Sequence, residues 1–213
     1  MFMKIYNTLS HKEEVFIPWE EGKVSFYTCG PTVYHYAHIG NMRNYIGHDI
    51  LDKTLRFIGF DVTRCMNITD VGHLTSDSDS GDDKMVASAK KEHKSVLDIA
   101  SFYTDAFFKD FDALNCKRPE IVSNATDNIE EYIKIITKLL EDGYAYKAGG
   151  NVYFDTSKLK DYYVLTNHKE DDMVVGARES VEYDASKKNQ ADFALWFTKS
   201  KFDSQELKWE SPF

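Results

Sequence analysis

The stretch Phe26–Asn41, FYTCGPTVYHYAHIGN, decides how this chain folds. The run from Val24 to Thr28 is aromatic and partly β-branched, and reads as a short buried strand. Cys29, Gly30 and Pro31 break it, and after a loop His38-Ile39-Gly40-Asn41 opens a long helix. A strand ending in a thiol, a Gly/Pro turn and a helix start outline a nucleotide site. Backbone N–H groups at a helix start lack intrahelical partners and carry partial positive charge, so they attract phosphate. Gly40 carries no side chain, which leaves room for a ligand near the backbone.

Downstream, Ile46, Ile50, Leu51, Leu55 and Ile58 recur at helical spacing, and Gly59 is a natural stop. Asp61–Ile68, DVTRCMNI, reads as a second strand. A strand, a helix and a strand in this length make a βαβ unit with parallel strands. Ligands of such α/β sheets sit beyond the carboxyl ends of the strands, where Cys29 and Thr69-Asp70 both fall. Cys65 lies inside the second strand and reads as a small buried hydrophobe.

Composition narrows the function classes. The chain has 213 residues, 42% of them hydrophobic and 14% aromatic, enough for a sizeable core. With 26 basic against 35 acidic residues, the formal charge of −9 argues against a protein that coats nucleic acid non-specifically. Cys29, Cys65 and Cys116 are odd in number and form no CxxC, which fits a reducing cytoplasm better than a disulfide framework. The N-terminus has no long apolar run, so no signal peptide or membrane span is expected.

The remaining segments are read in order. Met1 to Trp19 is expected to be an edge segment beside the sheet. The acidic loop Gly72–Asp83 invites a calcium reading, but its ligand spacing fails the EF-hand pattern, and a solvated loop is expected. Lys84–Leu114 reads as helix, broken near His93, with Val96, Ala100, Tyr103, Phe107, Phe111 and Leu114 as its core stripe. Asp127 and Glu130 look like a capping pair for a helix through Ile129, Ile133, Ile136 and Leu140 to Gly143. Tyr144–Tyr146 and Val152–Phe154 across Gly149-Gly150 read as a β-hairpin. Leu165–Lys188 is charged and turn-rich, and Asp192–Thr198 is apolar, with Trp196 as a packing residue.

CGPTVY followed by HIGN resembles the signature of class I aminoacyl-tRNA synthetases, in the form seen in the cysteinyl-tRNA synthetases. Asn67-Ile68-Thr69-Asp70, Lys4–Leu9, Asp110–Asn115, Arg118-Pro119 and Ala191–Trp196 extend the resemblance over nearly the whole chain. It corresponds to about the first half of such an enzyme. It implies an α/β fold: the first half of a Rossmann-like parallel-sheet catalytic domain over residues 1–122, and an α+β connective insertion over 123–213. The second catalytic half, with its Lys-Met-Ser-Lys-Ser loop, and the helical anticodon-binding domain are expected beyond it.

The resemblance also implies a function. It is ATP-dependent activation of L-cysteine to cysteinyl-adenylate and transfer to tRNA(Cys), by a monomer in the cytoplasm. Two alternatives stand beside it: a ligase joining cysteine to an amino sugar on the same adenylating fold, and a non-catalytic nucleotide-binding fragment. Cys29 would ligate a Zn2+ that also takes the substrate thiol, the other protein ligands lying after Phe213. A borderline-soft ion that prefers thiolate over hydroxyl suits that selection. Cys29, Gly30 and Thr69 would line the cysteine pocket. Pro31, Thr32, His38, Gly40 and Asn41 would hold ATP, with Mg2+ accompanying it. His38 and Asn41 would be catalytic, His38 as a donor to the phosphates, although a histidine at a helix start can also simply cap its own backbone. Asn41 stands where the family signature ends in His; it donates a hydrogen bond but carries no charge. His35 stands where relatives often have Asp and is assigned no role.

Overall fold

The computed structural model describes residues 3–71, 95–166, 186–198 and 207–213. They form two compact units that divide between Asp127 and Asn128.

In the first unit, β1 (Lys4–Asn7) and β2 (Lys12–Val15) pair antiparallel as a separate hairpin. The expected edge segment is therefore a two-stranded sheet of its own. Met3 and Phe16 close its base, the Phe16 N–H donating to Met3 O at 2.8 Å, and both pack on Val24, Leu55 and Val62.

The βαβ unit forms as the sequence indicates. β3 (Lys23–Thr28) leads through the loop to α1 (Ile39–Phe57), and β4 (Asp61–Ile68) returns parallel to β3, Val24 opposite Val62 and Thr28 opposite Met66. β5 (Ile121–Asn124) adds a third parallel strand beside β4, giving the order β3-β4-β5. The sequence reading missed β5, a four-residue strand with no alternation to reveal it. Side chains alternate across β4 with a period of two, so Val62, Arg64, Met66 and Ile68 are buried while Asp61 and Thr63 are exposed.

Helix α1 turns only part of the expected stripe to the core, Leu55 being buried and Leu51 packed beside it. Met42, Tyr45, Asp49, Asp52 and Leu55 are buried, whereas Ile50 is 60% exposed. Two aspartates sit in the buried stripe because cations and amides meet them there. Asp52 takes the Arg56 Nε–H at 2.6 Å and lies near the wholly buried Arg64, and Asp49 takes the Lys117 N–H at 2.7 Å. Hydrophobic periodicity cannot register a carboxylate that is buried by pairing.

Helix α2 (Val96–Ala113) starts at a Ser95 cap and buries Val96, Ala100, Tyr103, Phe107 and Phe111, as the stripe predicts. Leu114 is instead the C-cap and is 46% exposed. Tyr45 meets Phe107 edge-on with centroids 4.9 Å apart, joining α1 to this aromatic row.

In the second unit, α3 (Ile129–Glu141) is followed by a three-stranded antiparallel sheet: β6 (Ala145–Ala148), β7 (Asn151–Phe154) and β8 (Phe193–Phe197). Asn128 occupies the N-cap position of α3, and Asp127 takes a hydrogen bond from the Asn124 side chain, so the expected Asp127–Glu130 capping pair does not form. The hairpin turn places Gly149 at φ 58° and Gly150 at φ 86°, the two positive values a type I′ turn requires. Trp196 lies opposite Val152 and packs on the Ile136, Ala145 and Val152 cluster. Buried Asp192 pins β8 by accepting from Tyr146, Thr156 and Asn189. The expectations for the acidic loop, for the helix before Ser95 and for most of Leu165–Lys188 lie outside the described residues.

Candidate functional site

Past Thr28 the chain does not leave the sheet at once. The Thr69 N–H donates to Pro31 O at 3.0 Å, and the Val33 N–H donates to Thr69 O at 3.2 Å, so Thr32 bridges Thr69 as a last parallel pair. The Pro31 carbonyl and the Val33 N–H are thereby committed to Thr69, just past β4. Cys29 and Gly30 lie between the end of the ladder proper and this bridge, at the carboxyl end of the strands, and Cys29 is exposed. The turn fits only a glycine: a Cβ on Gly30 would lie 1.7 Å from the backbone oxygen of Asn67. The Gly30 N–H donates to Asn67 Oδ1 at 2.8 Å, the Tyr27 hydroxyl donates to the same oxygen at 2.6 Å, and Asn67 Nδ2 donates to Thr69 Oγ1 at 3.1 Å. Cys29, Gly30 and Thr69, read from the sequence as one pocket, are thus held at one place.

The second group stands at the start of α1. His38 is its N-cap, and Nδ1 accepts from the Gly40 N–H at 3.0 Å and the Asn41 N–H at 3.3 Å. The Asn41 side chain answers by accepting the His38 N–H at 3.1 Å, which closes a capping box. This changes two expectations. The Gly40 and Asn41 N–H groups are occupied by the His38 ring rather than left for an anion. The space over Gly40 is filled by that same ring, since a Cβ there would lie 2.9 Å from its Cε1. With Nδ1 an acceptor, the neutral ring carries its proton on Nε2. Capping and donation are therefore compatible: one nitrogen caps, and the other presents an N–H from an exposed side chain.

Tyr45, on α1, is buried against Phe107. Burial raises its hydroxyl, with the nearby Cys29 adding to the effect, to about 12, so the phenol stays neutral at any physiological pH. Sequence reasoning passed over Tyr45 and quoted Asn67 only within the Asn67-Ile68-Thr69-Asp70 motif. Asn67 carried one signal, an amide in the last turns of an otherwise β-prone strand. The exposed His35 donates its Nδ1–H to Tyr36 O at 2.6 Å.

Among the described residues no three His, Cys, Asp or Glu side chains gather to hold an ion, so Cys29, His35 and His38 form no local metal centre. Nor, among the described residues, is any helix long and apolar enough to cross a membrane.

The chain has relatives among known proteins. The chain is 57% identical to a protein named cysteine–tRNA ligase from Treponema denticola, over 100% of this chain and 43% of that protein. It is 45% identical to the protein of that name from Borrelia turicatae (100% and 44%) and 48% identical to that from Zymomonas mobilis (97% and 39%). The chain thus spans about two fifths of the length of these relatives. Among solved structures, the ternary complex of Agrobacterium radiobacter K84 LeuRS with tRNA and LeuAMS superposes with a TM-score of 0.50 at 20% identity, covering 67% of this chain and 18% of that one, a likeness of fold. The family described as tRNA synthetases class I (C) catalytic domain matches residues 15–213, and the chain belongs to it.

Proposed function

We propose that this chain is the N-terminal part of a cysteine–tRNA ligase. In this reading the protein activates L-cysteine with ATP and transfers the cysteinyl group to tRNA(Cys), acting in the cytoplasm as a monomer. The observation that carries the reading is the joining of the Cys29-Gly30 turn to Thr69 at the carboxyl end of β3 and β4, with the His38 cap opening the helix that follows. Residues 1–122 would supply the first half of the catalytic domain and 123–213 the connective insertion.

In the activation step a cysteine carboxylate oxygen bonds to the α-phosphorus of ATP, and the bond from that phosphorus to the pyrophosphate oxygen breaks. No protein nucleophile is needed; the demands are positioning and stabilisation of charge on the phosphate oxygens. His38 Nε2–H is the donor we assign to them. Asn41 acts chiefly by locking the cap, with its Nδ2 left to donate. Gly40 admits the ring, and Pro31 and Thr32 shape the wall from the β4 side. Cys29, Gly30 and Thr69 line the amino-acid pocket. The transfer step then moves the cysteinyl group from AMP to a tRNA hydroxyl.

For the Zn2+ that the family implies, this chain offers one exposed thiol at the right end of the sheet, so the centre would take its other ligands from elsewhere in the polypeptide. Bound there, the ion would select a thiol over a hydroxyl in the substrate. Mg2+ would accompany ATP.

The test is cysteine-dependent exchange of labelled pyrophosphate into ATP by the whole protein, followed by charging of tRNA(Cys). Exchange that is absent, or that responds equally to serine, would overturn the proposal. Exchange without tRNA charging, but with transfer to an amino sugar, would favour the sugar ligase instead.

A further inference from the structure

The thiol turn and Thr69 are both tied to the side chain of Asn67. The orientation of its amide is fixed by chemistry. A backbone N–H can only donate, so the atom facing Gly30 must be Oδ1, and the same oxygen accepts the Tyr27 hydroxyl. Nδ2 is then left to face Thr69 Oγ1, to which it donates at 3.1 Å.

A hydroxyl has one proton to give and two lone pairs to receive with. The Asn67 contact uses Thr69 Oγ1 as an acceptor. Among the described residues the Thr69 hydroxyl makes no other hydrogen bond, so its proton remains available at the carboxyl end of β4, next to the turn that carries Cys29. The backbone of Thr69 cannot drift, because its N–H and its carbonyl are both paired with the loop.

We infer that Asn67 is a positioning residue for the amino-acid pocket, holding the Cys29-Gly30 turn and the Thr69 hydroxyl as one unit and leaving the Thr69 proton free for the ligand. The ligand group assigned to that proton is an acceptor, the carboxylate of the amino acid or the acyl oxygen that replaces it in the adenylate, while the second lone pair of Oγ1 stays open to a ligand donor. The inference rests on the cysteine-activating reading above.

Asn67→Asp separates the two duties. A carboxylate still accepts from Gly30 and Tyr27, so the turn is kept. It cannot donate to Thr69, which must instead turn its own proton onto the new oxygen. The experiment is pyrophosphate exchange by the whole protein, with the cysteine and ATP dependences measured separately. Wild type is assayed first, so that its failure to show cysteine-dependent exchange would count against the functional reading itself. Given an active wild type, Asn67→Asp is expected to raise KM for cysteine about tenfold, as loss of a hydrogen bond to a charged group would, and to leave KM for ATP within about twofold. Thr69→Val should do the same, and Thr69→Ser should stay near wild type. The double variant Asn67→Asp/Thr69→Val should be no worse than Thr69→Val alone, because both remove the same donor. An unchanged KM for cysteine in Asn67→Asp would overturn the inference. So would a penalty that adds in full to that of Thr69→Val, which would mark a charge effect. Loss of the wild-type circular dichroism spectrum in Asn67→Asp would also overturn it, because the retained acceptors are expected to hold the turn.

Discussion

The imidazole of His38 occupies the place of the side chain that Gly40 lacks: a Cβ on Gly40 would lie 2.9 Å from Cε1 and 3.0 Å from Nδ1 of that ring. The glycine of the HIGN motif is therefore required first by its own neighbour. It allows the ring to lie over the helix start, accept two backbone N–H groups through Nδ1, and turn Nε2–H outward.

Capping and phosphate donation can be separated at His38. His38→Asn retains a good cap acceptor but has no Nε2–H, so stability should fall by no more than about 0.5 kcal/mol while pyrophosphate exchange falls on the order of a hundredfold. His38→Ala should lose the activity and, in addition, about 1 kcal/mol of stability. Urea unfolding and exchange kinetics on both variants check this. An active His38→Asn protein would mean that the cap is the whole role of the residue.

Gly40→Ala sets helix propensity against the ring. Alanine gains up to about 1 kcal/mol over glycine in a helix, while the displaced ring forfeits a cap of about the same size. Net stability should therefore hardly move, yet exchange should fall toward that of His38→Asn. A Gly40→Ala protein both more stable and fully active would show that the ring shifts without consequence.

Gly30→Ala has no such escape. Its Cβ would meet a backbone oxygen at 1.7 Å, and backbone in a ladder cannot rotate aside as a side chain can. Relief requires the turn to lift off β4, breaking the Gly30–Asn67 hydrogen bond. A loss of about 3 kcal/mol, from strain plus that bond, is expected in urea unfolding, with loss of cysteine-dependent exchange.

Beneath the site, Arg64 and Asp52 are both fully buried, with Nε and Oδ2 3.7 Å apart. Arg64→Leu would leave Asp52 in the core with Arg56 alone, and a loss of about 3 kcal/mol is expected. Replacing both, as Arg64→Met with Asp52→Leu, should recover most of it, since a buried pair repays little more than its own desolvation. Chemical denaturation of the two singles and the double gives the coupling; additive losses would mean that the two side chains do not interact.

These residues also mark where the sequence was legible. The βαβ unit could be read because two strand-like runs flank a helically spaced apolar stripe, with Cys-Gly-Pro ending the first strand and Gly59 the helix. Strand ends alone brought Cys29 and Thr69 together, and the family resemblance added Gly30 and the pocket. The buried face of α1 could not be read: Asp49 and Asp52 are core residues only because Lys117, Arg56 and Arg64 come to them from other segments or from one turn away. Asn67 was visible as part of a motif, but its task depends on the Tyr27 hydroxyl and the Gly30 N–H, 40 and 37 residues away in sequence, which meet it only in the folded sheet. The α3 cap failed for a similar reason. Asp127 was expected to cap, but Asn124 at the end of a strand not foreseen takes its carboxylate.

Glu120 gives the pH dependence. Burial alone would raise its pKa, but hydrogen bonds from Lys117 Nζ and the Arg64 N–H outweigh that and hold the carboxyl at about 2, against an ordinary 4.5. A folded-state pKa below the unfolded one means that the contribution of Glu120 is complete above pH 4.5 and is lost as the pH falls toward 2. The group ties α1 to the sheet, because Arg56 Nη2 also donates to it at 2.8 Å. Glu120→Gln should therefore be less stable than wild type at neutral pH, and its stability should fall less steeply between pH 4.5 and 2, so that the two curves converge in acid. Urea midpoints measured across that range test the sign. Parallel curves would mean that Glu120 is not held in its charged form by these partners.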